Sequence, residues 1–368
     1  MKRGNIVFIR ADFWDTTQAL PKAVVAGQSF FERINILEWE KKKKNRTERI
    51  NTEHFQLHSF KQQVGRNSIT RILSVLRFII WSLEQTLRIK PDYIHFVGIF
   101  NAPMALLYKL SHPTTILIYE IRDPYGMLFK RILFSKWAQR IDLVVLNFVN
   151  FVVLPNEYLT DYLGNRIDVN DIFISPNFNE VTSYRLKSFN NSNKINLGYF
   201  GYLSETRGFQ LLKHIVKQYK NEVVLHLAGS LTDAAKGELS AFPNVKYYGN
   251  LNRKESLSLM SSVDANLIAY DPQVRLHSYM LPIKFYDSCM VGTPVIVSKG
   301  MRALVGEVIN NGLGYTVDYM TCVEFDGILH SLRSHAISQD YLKSYYSDNC
   351  NYDEFMRMYR EFYKRIVY

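Results

Sequence analysis

The sequence predicts an α/β chain made of two doubly wound parallel-sheet domains. Three observations carry that expectation. The 368 residues suit two cores of ordinary size. Short apolar runs alternate with amphipathic segments through both halves, the pattern of repeated βαβ units. A polar stretch, 177–193, rich in Asn and Ser and lacking any sustained apolar period, lies between them as an interdomain connection.

In chain order, the runs 6–9, 34–39, 55–60, 93–97, 115–119 and 151–154 are the strands expected of a first domain, placed at 1–180. The runs 195–200, 223–228, 245–248, 265–269, 293–297 and 313–317 repeat the rhythm in a second, placed at 190–349. Beyond it, 341–368 has no strand signal. Phe355, Met358, Tyr359, Phe362 and Ile366 recur there at helical spacing, so a terminal helix over about 350–368 is expected to pack back on the first domain.

Composition narrows the class further. With 47% apolar and 21% charged residues, and only 18 Gly and 11 Pro, the chain is neither disordered nor fibrous. The three cysteines, Cys289, Cys322 and Cys350, are an odd number at wide spacing, with no C-x-x-C and no adjacent His pair. That argues against a disulfide framework or a zinc site and for a reducing compartment. The first apolar run is too short for the core of a signal peptide and reads as a strand. No run reaches the roughly 20 apolar residues that a membrane span requires.

Charge is unevenly placed. Residues 1–190 hold 26 Lys and Arg against 17 Asp and Glu, whereas 191–368 hold 19 against 17. A basic first half suits an anionic membrane surface, an anionic substrate or nucleic acid, but no nucleic-acid motif accompanies it. The segments 71–88 and 129–137 combine Arg and Lys with apolar and aromatic residues, so a peripheral membrane contact is expected of them. The first also reads as a helix packed on its sheet. The Lys41 to Lys44 run reads as a solvated loop.

Chemistry is signalled at the carboxyl ends of strands, where open α/β sheets bind ligands. The run 196–200 leads into Gly201-Tyr202-Leu-Ser-Glu-Thr-Arg207-Gly208, a turn with a glycine near each end, a cation, and a helix start with unpaired N–H groups. Either an anion sits there or Arg207 is a solvated turn residue. Later, Pro282-Ile-Lys284-Phe-Tyr-Asp287 opens a helix that Gly292-Thr-Pro294 closes. A lysine in a first helical turn opposes the helix dipole, which an anionic ligand would explain; a Lys284–Asp287 surface pair is the plainer reading. In the first half, Glu120-Ile-Arg122-Asp123-Pro-Tyr-Gly126 either clusters charge where the two domains should face each other or is a salt-bridged loop, and Arg10-Ala-Asp12-Phe-Trp14-Asp15 offers aromatic surface suited to a sugar or is a loop packed by its own aromatics. His95, within an apolar run, reads as a core residue.

Taken together, these segments resemble the retaining glycosyltransferases of the GT-B fold, family GT4, over nearly the whole chain. The resemblance rests on Gly201 to Gly208, on Pro282, Lys284 and Asp287 closed by Gly292 and Pro294, and on the strand, loop and helix from Asn244 through Gly249 to Ala269. It implies two Rossmann-like domains facing each other across a cleft, the first binding the acceptor and the second a nucleotide-diphosphate sugar. It further implies that Arg207 and Lys284 meet the diphosphate, that Asp287 accepts from the ribose hydroxyls, and that Gly249 to Leu251 lie beside the base. Gly201, Tyr202, Tyr279 and Pro282 complete that donor site. Tyr279 stands where the family has a sugar-contacting carboxylate, Tyr202 where it often has a second cation, and Arg122 where many relatives have a histidine. Arg122 and Asp123 are expected to position donor sugar or acceptor.

The activity implied is transfer of a hexose to a lipid-linked or growing cell-surface glycan of the O-antigen, capsule or exopolysaccharide type, at the inner face of the cytoplasmic membrane. Neither metal nor cofactor is expected, and the chain has no Asp-x-Asp triplet. A nucleotide-sugar epimerase of the same fold and a non-catalytic sugar or nucleic-acid binder are the competing readings.

Overall fold

The computed structural model describes residues 4–13, 19–41, 54–65, 67–128, 132–164, 167–185, 189 and 193–368. Trp14, Asp15, Lys42 to Lys44 and 129–131 therefore lie outside the described residues, as does part of the expected connection. The chain divides into two compact units, Met1–Pro176 with Asp353–Tyr368, and Asn177–Tyr352.

Unit 1 is a seven-stranded sheet of β1 (Asn5–Arg10), β2 (Arg33–Glu40), β3 (Phe55–Lys61), β4 (Tyr93–Val97), β5 (Ile116–Glu120), β6 (Phe151–Leu154) and β7 (Ile172–Ile174), in the order β3-β2-β1-β4-β5-β6-β7. Every pairing in it is parallel. Its helices are α1 (Ala19–Gly27), α2 (Ser68–Ile89), α3 (Ala102–Ser111), α4 (Ile132–Leu146) and the short α5 (Thr160–Leu163). Ile6, Val7, Phe8 and Ile9 are all fully buried, as expected of a parallel strand covered on both faces.

Unit 2 is a six-stranded parallel sheet of β8 (Ile195–Phe200), β9 (Val223–Ala228), β10 (Val245–Tyr247), β11 (Ala265–Ile268), β12 (Val295–Ser298) and β13 (Gly314–Val317), in the order β10-β9-β8-β11-β12-β13. Around it lie α6 (Phe209–Gln218), α7 (Asp233–Leu239), α8 (Arg253–Met260), α9 (Ile283–Val291), α10 (Arg302–Asn310), α11 (Phe325–Arg333) and α12 (Gln339–Asn349). Leu197, Leu225, Leu267 and Ile296 from four strands share one core with Leu212, Ile215 and Phe325 from the helices. In both sheets the strand order reverses beside the first strand, between β1 and β4 and between β8 and β11. Those reversals are where a doubly wound sheet opens a crevice.

The expected strands are present, and β7 is an addition. Three residues are too short to display a period of two, so 172–174 gives no readable signal. The terminal segment 341–368 holds two helices, the second over the range expected. After α12 the chain breaks at Cys350 and Asn351 and continues as α13 (Tyr352–Val367), most of which belongs to unit 1. Phe173 of β7 lies against the rings of Tyr359 and Phe362 at 4.5 and 4.8 Å. Met358 departs from the expected core face: it is exposed and Met356 is buried in its stead. The segment after Pro176 is fastened to unit 2, with Asn177 Nδ2 donating to Leu281 O, Tyr346 donating to Asn179 O, and Phe178 edge-on to Tyr286.

Candidate functional site

The carboxyl edge of the unit 2 sheet is a rim of backbone. Beyond β8 the Gly201 N–H donates to Ala228 O at 2.8 Å, and beyond β9 the Gly229 N–H donates to Gly249 O at 2.8 Å. Gly201 and Gly229 have φ of +112° and +125°, where L side chains are strained. A Cβ on Gly229 would also lie only 2.2 Å from Gly201 O. The rim thus exposes peptide groups at close approach, suited to a ligand laid along the strand ends. Gly229 was not singled out from the sequence, although Ala228-Gly229-Ser230 repeats the strand-then-glycine ending of β8. Tyr247 donates its hydroxyl to Gly229 O, and Leu251, half-buried, follows Gly249.

Two cations converge on this rim. Arg207 closes the turn before α6, whose N-cap is Gly208. The turn is held from beneath by the buried Tyr199, which donates to Arg207 O at 2.7 Å and to Tyr202 O at 3.0 Å. Tyr319 steadies its other side by donating to Glu205 O. The Arg207 guanidinium lies over the rings of Tyr270 at 5.4 Å and Tyr202 at 6.0 Å. Lys284, in the first turn of α9, brings its ammonium over Tyr199 at 4.3 Å and Tyr270 at 5.3 Å. A Cβ placed on Gly201 would be 3.7 Å from that ammonium.

Among the described residues neither cation has an ion pair or a side-chain hydrogen bond; aromatic faces are their only seats. Burial and then the neighbouring Arg207 charge push Lys284 down to about 7. The two cations thus lie together beside open backbone with no carboxylate paired to either, among the described residues.

Asp287 does not pair with Lys284, although the two lie three residues apart on α9. Its carboxylate is turned to Arg253 of α8, which donates from both terminal nitrogens at 3.0 and 2.9 Å. Burial raises Asp287 above the ordinary carboxylate range despite Arg253. Arg253 escaped sequence reasoning because it is distant in the chain. Its only local signal was the helix start Asn252-Arg253-Lys254-Glu255, a capping box in which Asn252 accepts from Glu255 N and Glu255 accepts from Asn252 N. Pro282 is the N-cap of α9, and Tyr279 ends the short turn Arg275–Tyr279 ahead of it.

In unit 1, Glu120 is fully buried at the end of β5. It accepts from Arg122 and from His95 Nε2 at 3.0 Å, and His95 Nδ1 meets the Tyr363 hydroxyl at 3.0 Å. Arg122 also donates to Ser175 O and Oγ at 2.7 and 3.1 Å. Burial alone would raise Glu120, yet Arg122 and His95 prevail and hold it at about 2. His95, fully buried, is thus a core residue that ties β4 to α13. The Arg122 guanidinium is turned inward, and Asp123 beside it is exposed. Among the described residues no three His, Cys, Asp or Glu side chains gather to hold a metal ion, and no helix is long and apolar enough to cross a membrane.

Fold and site together define a protein of two doubly wound units with two cations gathered at the sheet reversal of the second. No family model matches the chain, and no curated protein matches it in sequence. Solved structures match it along its whole length. Sucrose-phosphate synthase from Thermosynechococcus elongatus is similar at a TM-score of 0.76 and 11% identity, with 99% of each chain covered. Anabaena HepE in complex with UDP-glucose is similar at 0.70 and 13%, covering 99% of this chain and 100% of that one. The lipopolysaccharide outer core galactosyltransferase WaaB is similar at 0.62 and 14%, with 99% of each covered. At such identities the likeness is one of fold, the two-sheet architecture of GT-B proteins.

Proposed function

We propose that the protein is a retaining glycosyltransferase that takes a sugar from a nucleoside diphosphate and passes it to a lipid-linked or growing cell-surface glycan. The observation that carries this reading is the Arg207 and Lys284 pair, seated on Tyr199 and Tyr270 without a carboxylate, at the end of β8. HepE, alike in fold, was solved with UDP-glucose, which favours a uridine donor.

When the bond from the anomeric carbon to the phosphate oxygen breaks, its electron pair stays on the leaving diphosphate. Two fixed cations there stabilise the transition state more than the ground state. The rim of Gly201, Gly229 and Gly249, with no side chains, leaves room along the nucleotide, and Asp287, oriented by Arg253, faces the ribose. Tyr202, Leu251, Tyr279 and Pro282 line the remainder of the donor site. We assign positioning of sugar or acceptor in unit 1 to the exposed Asp123, with Arg122 bracing the turn from within through Glu120 and Ser175. No divalent ion enters this mechanism, because the protein's own cations take the diphosphate charge, and the place of work is the inner face of the cytoplasmic membrane.

The test is a thermal-shift panel of nucleoside diphosphates followed by product analysis with the donor that binds. One nucleotide should raise the melting temperature by mass action, and Lys284→Ala should remove the rise. No shift with any nucleotide would overturn the reading.

A further inference from the structure

Helix α2 is packed inside out. The residues it buries are Ser74, Phe78, Ser82 and Thr86, one stripe at a spacing of four. Three of these are small and hydroxylated. Each satisfies itself on its own helix, Ser74 donating to Thr70 O, Ser82 to Ile79 O and Thr86 to Ser82 O. Facing outward are Ile69, Ile72, Leu73, Leu76, Ile80 and Leu87, between 42% and 71% exposed. An amphipathic helix ordinarily turns its aliphatic stripe to the sheet. Here the small residues let α2 lie close to its neighbours while the aliphatic side chains stand in the open.

The apolar surface continues across two neighbouring helices. α3 packs beside α2, and α3 and α4 flank an open groove of about 600 Å³ lined by Ala102, Leu106, Trp137, Arg140, Ile141 and Val144. Leu110 and Leu133 are 78% and 83% exposed nearby, and Trp137 and Phe134 more than half. The exposed charge on these helices is strongly one-sided. Arg71, Arg77, Arg88, Lys136 and Arg140 are all exposed, against the single exposed acid Glu84.

We infer that this face of α2, α3 and α4 docks on the surface of an anionic bilayer, its aliphatic side chains entering the leaflet and its cations meeting the headgroups. A protein partner would be expected to leave contiguous apolar surface with mixed charge. Arginines interleaved with isoleucine and leucine at helical spacing fit an interfacial helix. The inference stands on helix faces in unit 1 and is independent of the donor reading in unit 2.

The test is co-sedimentation of the full chain with phosphatidylglycerol-rich vesicles and with pure phosphatidylcholine vesicles, at low and high salt. Binding should be confined largely to the anionic vesicles and should weaken as salt rises. The double variant Ile72→Glu, Ile80→Glu should bind about tenfold less, with an unchanged circular-dichroism melt. Should that variant fail to fold, Arg71→Gln with Arg77→Gln asks the same question without touching the aliphatic face. Brominated acyl chains should quench tryptophan fluorescence, and Trp137→Phe should remove most of the effect. No binding to anionic vesicles, or undiminished binding by the variants, would overturn the proposal. So would a dimer in sedimentation that the double variant dissolves, since the face would then belong to a second copy of the chain.

Discussion

Arg207 and Lys284, from different elements, lie over the same ring, Tyr270, at 5.4 and 5.3 Å. Like charges so near each other in a half-buried place are costly unless something shares them, and the aromatic faces do so only in part. The proposed diphosphate would offset that cost, and the consequences for activity and for pH follow from it.

Removal of either cation should slow turnover without unfolding the protein. Arg207→Ala and Lys284→Ala are each expected to lower kcat about a hundredfold, or roughly 3 kcal/mol of transition-state stabilisation. Steady-state kinetics with a melt of each variant checks this. A variant with parental kcat would remove that residue from the mechanism.

Nucleotide affinity should depend on pH through Lys284. The free group titrates at about 7, and a bound diphosphate favours the protonated form, so binding raises its pKa. Affinity is then constant below pH 7 and falls as pH rises above it, by up to about tenfold per pH unit until the raised pKa is passed. Calorimetry in buffers of different ionisation enthalpy should register proton uptake near pH 8. Lys284→Arg should abolish the uptake, because arginine does not titrate there.

What could be read from the sequence was local. Gly201, Arg207 and Gly208 lie within one turn, and Pro282, Lys284 and Asp287 within one helix start, so their spacing offered them as candidates and the resemblance to GT4 transferases supplied their expected roles. The seats of the cations were not legible: Tyr199 and Tyr270 are ordinary strand-end aromatics until the fold brings them under Arg207 and Lys284. Arg253 lies 34 positions from Asp287, and nothing in either segment names the other. For α2 the period disclosed two unlike faces but not which one turns inward. That choice depends on how closely the helix approaches its sheet, and Ser74, Ser82 and Thr86 decide it.

The Arg253–Asp287 clamp should prove strongly coupled. Removing Arg253 leaves a buried carboxylate without its partner, and removing Asp287 leaves a half-buried guanidinium. Arg253→Ala is expected to cost about 3 kcal/mol, and the double variant Arg253→Ala, Asp287→Ala less than the sum of the two single changes. Denaturant melts of the four proteins close the cycle. Simple additivity would mean that the clamp holds nothing in place.

The buried carboxylate of Glu120 should govern acid stability in unit 1. Its folded pKa of about 2 lies below the ordinary value near 4.3, so its stabilising contribution is fully present above the unfolded value. That contribution is lost progressively as pH falls from about 4.3 towards 2, because the unfolded chain then binds the proton more readily. Glu120→Gln keeps the shape but removes the charge that Arg122 and His95 face, leaving the guanidinium without its partner. The variant should lose about 3–5 kcal/mol at neutral pH, and the deficit relative to the parent should shrink as both are acidified. Denaturant melts at several pH values test both parts, and a deficit that stays constant down to the acid limit would show that Glu120 acts through packing and not through charge. The same substitution should loosen α13, since Tyr363 meets His95 of this network. Hydrogen exchange at Tyr352–Val367 should then rise in the variant, and unchanged protection there would mean that the ring contacts of Phe173 hold the helix without the network.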